Sequence, residues 1–183
     1  IESLNLEGNF IFIVQKEHQE KYNINSVLKI LKPNCKIIEL DHITEGAACT
    51  TLLAKKFINT SNPLIIANSD QYIKWDSIKS MYNYNQKKID GSILTFEAIH
   101  PKWSYAKTDK NNFVTEVAEK KVISKNATVG VYYWKKGSDY VNCAETMIKK
   151  NIRVNNEFYV CPVYNEAIGE GKKIVIDKVS EMH

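Results

Sequence analysis

The 183-residue chain lacks any apolar run approaching the length of a membrane span, and it shows no secretory signal. A helical membrane protein and a signal-bearing secreted protein are therefore not expected. CxxC spacing is also missing. Cys35, Cys49, Cys143 and Cys161 stand apart, three of them inside apolar strand or helix patterns, which fits free buried thiols in a reducing cytoplasm. A large charge of either sign is absent too. The formal net charge is +4, with lysines scattered among glutamates and aspartates. No basic face with interleaved aromatics stands out, so a nucleic-acid surface is not expected, whereas anionic ligands such as nucleotides are compatible. No Ser-His-Asp, HExxH or Walker pattern occurs, and His42 and His100 are lone histidines without metal-ligand spacing. Repeats, linkers and low-complexity segments are lacking, so residues 1–183 read as one domain.

What is present is the composition of a soluble globular protein, 44% hydrophobic and 25% charged, long enough to bury a sizeable core. The chain is organised around Pro63-Leu64-Ile65-Ile66-Ala67-Asn68-Ser69-Asp70-Gln71. The apolar run is too short for a helix and reads as a buried strand. Ligands of open α/β sheets bind just beyond such strand ends. Asp70 stands there, either as a hard carboxylate able to hold Mg²⁺ against a phosphate or as part of a turn and helix cap.

Strands are predicted at residues 10–14, 36–40, 64–67 and 92–98, alternating with helices at 27–31, 47–58 and a face of Trp75, Ile78, Met81 and Tyr82 with Asp76 in its first turn. That alternation predicts α/β architecture with a mostly parallel sheet. Later come a short strand at 104–108, an alternating strand at 113–119, and a strand at 128–134 interrupted by Gly130, which marks a bulge or a ligand's close approach. Ser138 can cap a helix carrying Tyr140, Cys143, Ala144, Met147 and Ile148. A second helix buries Val160, Val163, Tyr164, Ala167 and Ile168, and a last strand spans 173–179. Gly46 opens the 47–58 helix, either as an ordinary helix entry or as a place where a planar group meets the backbone.

The order of these pieces resembles the sugar-phosphate nucleotidyltransferases. The strand ending Asn-Ser-Asp-Gln is similar to that family's metal-binding strand end. Glu45-Gly46-Ala47-Ala48 matches its nucleobase-contacting helix start, Val117-Ala118-Glu119-Lys120 its sugar- and phosphate-holding element, and Gly130-Val131-Tyr132 the following strand. The segment Asn156 to Asn165 resembles a small bacterial branch encoded with capsule or surface-glycan genes. The resemblance implies a three-layer α/β/α sandwich of the GT-A, nucleotide-diphospho-sugar transferase type. It implies transfer of a nucleotidyl group from an NTP to a sugar-1-phosphate or similar phosphomonoester, with Mg²⁺ and release of pyrophosphate, in the cytoplasm; self-association stays open. By the same resemblance Asp70 holds the metal, Glu45, Gly46 and Asn68 meet the nucleotide, and Lys120 places charge on the acceptor phosphate. Glu119 and Gly130 meet the sugar. Trp103, Tyr105 and Lys107, on one side by alternation, shape the acceptor pocket or serve as core and solvated surface. Adjacent strand residues face opposite ways, so Glu119 and Lys120 share a site only if the strand ends or bulges there; otherwise they are a solvated strand end. Glu157, Tyr159 and Asn165 are expected to fix the second helix or cover the pocket.

Two departures are visible. The family's Gly-rich loop with its following Arg and Lys should precede residue 1. Its second metal carboxylate usually lies near the end of this core, where Asp177 or a residue beyond His183 could serve. The chain is accordingly expected to be a piece of a longer protein, incomplete at both ends, and the piece need not be active by itself. A GT-A glycosyltransferase using an NDP-sugar remains an alternative, although such enzymes usually carry Asp-x-Asp where this chain begins with Asn68. A non-catalytic nucleotide- or sugar-binding domain is the third reading.

Overall fold

A computed structural model describes residues 4–182. Near the N-terminus β1 (Ile11–Gln15) and β2 (Lys36–Leu40) pair in parallel, Ile11 opposite Lys36 through Gln15 opposite Leu40. A parallel pair needs a crossover. It is made by α1 (Lys16–Tyr22), a polar stretch that reads in sequence as a loop or a helix start, and α2 (Ile24–Leu31), which begins three residues before the expected 27–31 helix. They meet at Asn23, whose left-handed backbone (φ 49°) ends one helix and starts the other; asparagine tolerates that conformation better than most residues. The single helix expected at 47–58 is instead α3 (Ala47–Leu52) and α4 (Lys55–Ile58). The Leu53 and Ala54 amides bond three residues back, to Thr50 and Thr51, while the Thr50 and Thr51 hydroxyls bond back to the Gly46 and Ala48 carbonyls. Such hydroxyl back-bonding bends and interrupts helices.

The main sheet contains β5 (Gly91–Glu97), β6 (Tyr105–Thr108), β7 (Val114–Ala118), β8 (Asn126–Trp134) and β9 (Ile174–Lys178) in the order β7-β6-β8-β5-β9, with β3 (Leu64–Ala67) also on β8. One edge of β8 carries β5; its other edge carries β3 along 131–134 and β6 at Ala127. Both β3 and β5 run antiparallel to β8, and β9 runs parallel to β5. So β3, β5, β6 and β9 share one direction while β7 and β8 oppose them; the sheet is mixed, and of its neighbouring pairs only β5–β9 is parallel, where a mostly parallel sheet was expected. The interruption expected at Gly130 is present: the β5–β8 register shifts between Ile93, opposite Tyr132, and Thr95, opposite Thr128. In β7 the simple alternation fails, because the β6–β7 register also slips beside Thr115, leaving Val114 and Val117 buried. A short antiparallel pair, β4 (Ile73–Lys74) with β10 (Glu181–Met182), had no signal in the sequence.

Helices cover both faces. Against one lie α6 (Gly137–Lys149) and α7 (Val163–Gly169), around a core that includes Trp134 stacked on Tyr164 at 4.3 Å and the buried Tyr140, Cys143, Ala144 and Met147. Ser138 does not cap α6. Its amide donates to the Thr60 carbonyl, and the N-cap residue is Lys136, whose side chain makes no cap bond. Against the other face lies α5 (Ser77–Gln86), with Tyr84 on Tyr133 at 4.8 Å. Its inward side is only partly the expected one: Trp75 is buried and Met81 packs against the core, but Ile78 and Tyr82 are 71% and 63% exposed and Ser77, Ser80 and Tyr84 are buried. The cause is a polar anchor. Asp177 Oδ2 on β9 accepts from Trp75 Nε1 at 3.1 Å, Tyr84 OH at 2.7 Å and the Ser80 hydroxyl. Asp76 precedes the helix and is its N-cap, accepting the Lys79 amide at 3.0 Å. No helix among the described residues is long and apolar enough to cross a membrane.

Candidate functional site

The end of β3 carries the first group. The Asn68 amide donates to the Gly130 carbonyl at 2.9 Å, and the Asn68 side chain lies across the place a Cβ would occupy at Gly130, 2.4 Å from its Nδ2. Gly130 also has φ +74°. Close approach and backbone conformation both require glycine there, so Asn68 and Gly130 meet as one feature. Asp70 follows two residues on. It is exposed and has no hydrogen-bond or ion-pair partner among the described residues. The helix-cap reading does not apply to it, because β4 intervenes and Asp76 caps α5.

The second group surrounds Gly46. A cleft of about 320 Å³ opens there, lined by Gln15 and Leu40 at the ends of β1 and β2, by His42, Thr44 and Gly46 on the following loop, and by Glu157 among others. Gly46 has φ +128°, and a Cβ on it would sit 2.5 Å from both the N and the O of Phe158. The main chain of Phe158 takes that space, donating to the Glu45 carbonyl at 2.8 Å and accepting from the Ala48 amide at 2.9 Å. The close approach foreseen at Gly46 is thus filled, on the Cβ side, by protein backbone, while its other side lines the cleft. The Glu45 carboxylate is held by Arg153 at 2.5 Å, and the Arg153 guanidinium lies 4.1 Å from the centre of the Phe158 ring.

The third group is Glu119 and Lys120. β7 ends at Ala118, and Lys120 has a left-handed φ of +52°. The strand therefore ends where the pair begins, the condition under which both side chains can serve one site. Trp103 and Ser104, just ahead of β6, hold the turn: the Lys120 amide donates to the Trp103 carbonyl at 3.1 Å, and the Ser104 hydroxyl donates to the Glu119 carboxylate. Burial pushes the Glu119 carboxyl above its usual range, against the lowering pull of Ser104 and Lys120. Lys120 Nζ donates to the Tyr159 hydroxyl at 2.7 Å and lies 4.9 Å from its ring centre, and that hydrogen bond raises the ammonium above its ordinary value. The Trp103 ring packs edge-on against Phe96 at 5.1 Å, and Tyr105 is fully buried with its hydroxyl on the His100 carbonyl. Lys107 is not brought to this group. It is exposed, opposite Glu116, three residues and about 10 Å along the strand from Ser104.

One segment joins the second and third groups. Residues 154–161 begin with a two-residue turn in which Asn155 and Asn156 both have positive φ, closed by mutual backbone bonds between Val154 and Glu157. Glu157 then faces the Gly46 cleft, Phe158 is pinned to the Gly46 loop, and Tyr159 reaches Lys120. Asn165 fixes α7 on the sheet, its amide bonding both the N–H and the C=O of Val117 at 2.9 Å. Gln15, Thr44, Thr50, Ser104 and Arg153 were missed from the sequence. Each is an ordinary polar residue that no local pattern marks, and Ser104 and Arg153 take their meaning from Glu119 and Glu45 elsewhere along the chain.

No group of three His, Cys, Asp or Glu side chains able to hold a metal occurs among the described residues. Asp177 is committed to Trp75, Ser80 and Tyr84 through one oxygen. Asp70, exposed and unengaged, fits a site in which a divalent ion takes one protein carboxylate and otherwise substrate phosphates and water.

No protein-family model and no curated protein matches the sequence. By structure, the chain is similar to the nucleoside-diphosphate-sugar pyrophosphorylase from Vibrio cholerae RC9, with TM-score 0.78 and 22% identity over 94% of this chain and 73% of that one. It is similar to a UDP-glucose pyrophosphorylase complexed with UDP-glucose, with TM-score 0.71 and 12% identity over 95% and 75% of the two chains. The inositol-1-phosphate CTP transferase from T. maritima matches with TM-score 0.68 and 13% identity over 93% and 66%. These likenesses establish the fold, an α/β fold of the nucleotide-diphospho-sugar pyrophosphorylase type, as the resemblance in the sequence implied.

Proposed function

We propose that the chain is a nucleotidyltransferase domain that joins an NTP to a sugar-1-phosphate or similar phosphomonoester, releases pyrophosphate, and supplies activated sugar for surface-glycan synthesis. The observation that carries this reading is the single segment that ties the Gly46 cleft to the Glu119–Lys120 turn, beside a strand end whose Asp70 carboxylate is unengaged. A nucleotide in the cleft and a phosphorylated acceptor at the turn would then be neighbours.

The chemistry asks for positioning and charge neutralisation more than covalent help. An acceptor phosphate oxygen forms the new bond to the α-phosphorus, and the bond to the β,γ-pyrophosphate breaks with its electron pair leaving on pyrophosphate. Lys120 puts a positive charge against the acceptor phosphate. Glu119, with one oxygen held by Ser104, accepts from sugar hydroxyls. Gly46 and the Glu45 loop border the base, and Asn68 keeps the end of β3 against Gly130. Asp70 would hold Mg²⁺, which supplies charge neutralisation on the phosphates when bound. Trp103 walls the acceptor side through its backbone bond to Lys120.

The test incubates the chain with Mg²⁺, each of four NTPs and a panel of sugar phosphates. Pyrophosphate release is expected with at least one pair and should vanish in Asp70→Ala. Sugar transfer from an NDP-sugar without any pyrophosphate release would replace this reading with a glycosyltransferase. Binding without either reaction would leave a non-catalytic domain.

A further inference from the structure

Lys120 is a long, exposed side chain on a left-handed turn. Left to itself such a stem samples many rotamers, and holding it costs conformational entropy. Here it is held. Its ammonium donates to the Tyr159 hydroxyl at 2.7 Å and sits 4.9 Å from the centre of the same ring.

Tyr159 can do this because its own backbone is fixed from both sides. Phe158 before it and Val160 after it are 2% and 6% exposed. Two hydrogen bonds clamp the Phe158 main chain to Glu45 and Ala48, and Arg153 clasps the Phe158 ring from the side of Glu45. The preceding Asn155-Asn156 turn shortens the path from Arg153, so the segment has little slack. The phenol is therefore aimed by the nucleotide side of the molecule at the cation on the acceptor side.

We propose that Tyr159 is a positioning residue for the acceptor: it presets the Lys120 ammonium where a phosphomonoester must dock. This rests on reading Lys120 as the acceptor-phosphate ligand. The electrostatics agree. The hydrogen bond from Lys120 strengthens its cationic form, while Glu119 and Glu157 add to the same effect. In Tyr159 itself Lys120 pulls the phenol's titration down, but burial and Glu157 outweigh it, so the phenol stays protonated. A protonated phenol offers a lone pair to the ammonium while its proton is drawn by the Glu157 carboxylate, so its orientation toward Lys120 is fixed from both sides.

The experiment uses Tyr159→Phe, which keeps the ring and removes only the hydroxyl. The Lys120 ¹³Cε resonance, identified by its loss in Lys120→Gln, is followed during titration with pH and with inorganic phosphate. Removing the hydroxyl is expected to shift the Lys120 titration to lower pH and to weaken phosphate binding about three- to tenfold. With an active substrate pair, the acceptor KM should rise by a similar factor while the nucleotide KM and the melting temperature hold. Wild-type phosphate affinity and an unshifted Lys120 titration in Tyr159→Phe would overturn the proposal. So would a joint rise in both KM values with a lower melting temperature, which would make Tyr159 a packing residue of the segment. Should no pair turn over, the transferase reading fails by itself, and the phosphate titration still decides the role of Tyr159.

Discussion

Replacing Gly46 by alanine tests whether the Gly46 loop and the Phe158 backbone form one unit. The added Cβ would stand 2.5 Å from two main-chain atoms of Phe158, where no flexible side chain can yield. Gly46 also has φ +128°, a conformation open essentially to glycine alone and costing other residues about 1–3 kcal/mol. Relieving the clash pushes Phe158 away and breaks two backbone hydrogen bonds, each worth about 1 kcal/mol net. The expected loss is about 3–5 kcal/mol, which in a domain of this size lowers the melting temperature by about 10 °C. Urea unfolding followed by tryptophan fluorescence measures the free energy, and hydrogen exchange at the Ala48 and Phe158 amides locates it. Gly169→Ala is the control. That glycine ends α7 with open space where a Cβ would go, so the change should be neutral or stabilise by up to about 1 kcal/mol. A Gly46→Ala protein within about 1 kcal/mol of the parent, with both amides still protected, would refute the reasoning.

Two further outcomes follow from buried polar groups. Asp177→Ala takes the acceptor from the Ser80 and Tyr84 hydroxyls and leaves Trp75 Nε1 only its 2.9 Å bond to Ser80 Oγ; urea unfolding should show a loss of about 2–4 kcal/mol, and a loss below about 1 kcal/mol would mean that the anchor does not hold α5. Glu119 has a raised carboxyl pKa because of burial, so the folded protein keeps a proton that the unfolded chain has already lost. Its contribution is full below the ordinary glutamate range and fades as pH rises through the raised value. Stability measured from pH 4 to 7 should fall more steeply in the parent than in Glu119→Gln, and identical profiles would refute the assignment.

The strands that carry the candidate site were legible because their signals are local. Pro63 and a four-residue apolar run mark β3, and a glycine inside a strand marks the slip at Gly130. The turn at Lys120 was legible as a condition, since adjacent strand residues cannot share a face. Other features were hidden because a distant partner decides them. Nothing near α5 reveals that Asp177 draws Ser80 and Tyr84 inward and leaves Ile78 and Tyr82 in water. Helical periodicity at 47–58 says nothing about two threonine hydroxyls that interrupt the helix. At Gly46 close approach was legible, but the backbone that meets its Cβ side, Phe158, lies more than a hundred positions away in sequence. Arg153 drew no notice for the same reason, since its meaning lies in Glu45 and the Phe158 ring.

The Asn165 amide on Val117 has a consequence for how copies of the chain meet. An outermost strand exposes a row of donors and acceptors that a second molecule can extend, and that is a common start to aggregation. β7 is such a strand, and a side-chain amide satisfies both backbone groups of Val117 in the manner of one rung of a missing neighbour. At the opposite margin Phe113 makes an antiparallel bridge to Val175 of β9. The chain's own residues thus occupy β7 at Val117 and β9 at Val175, and strand addition to the main sheet is hindered at those two places.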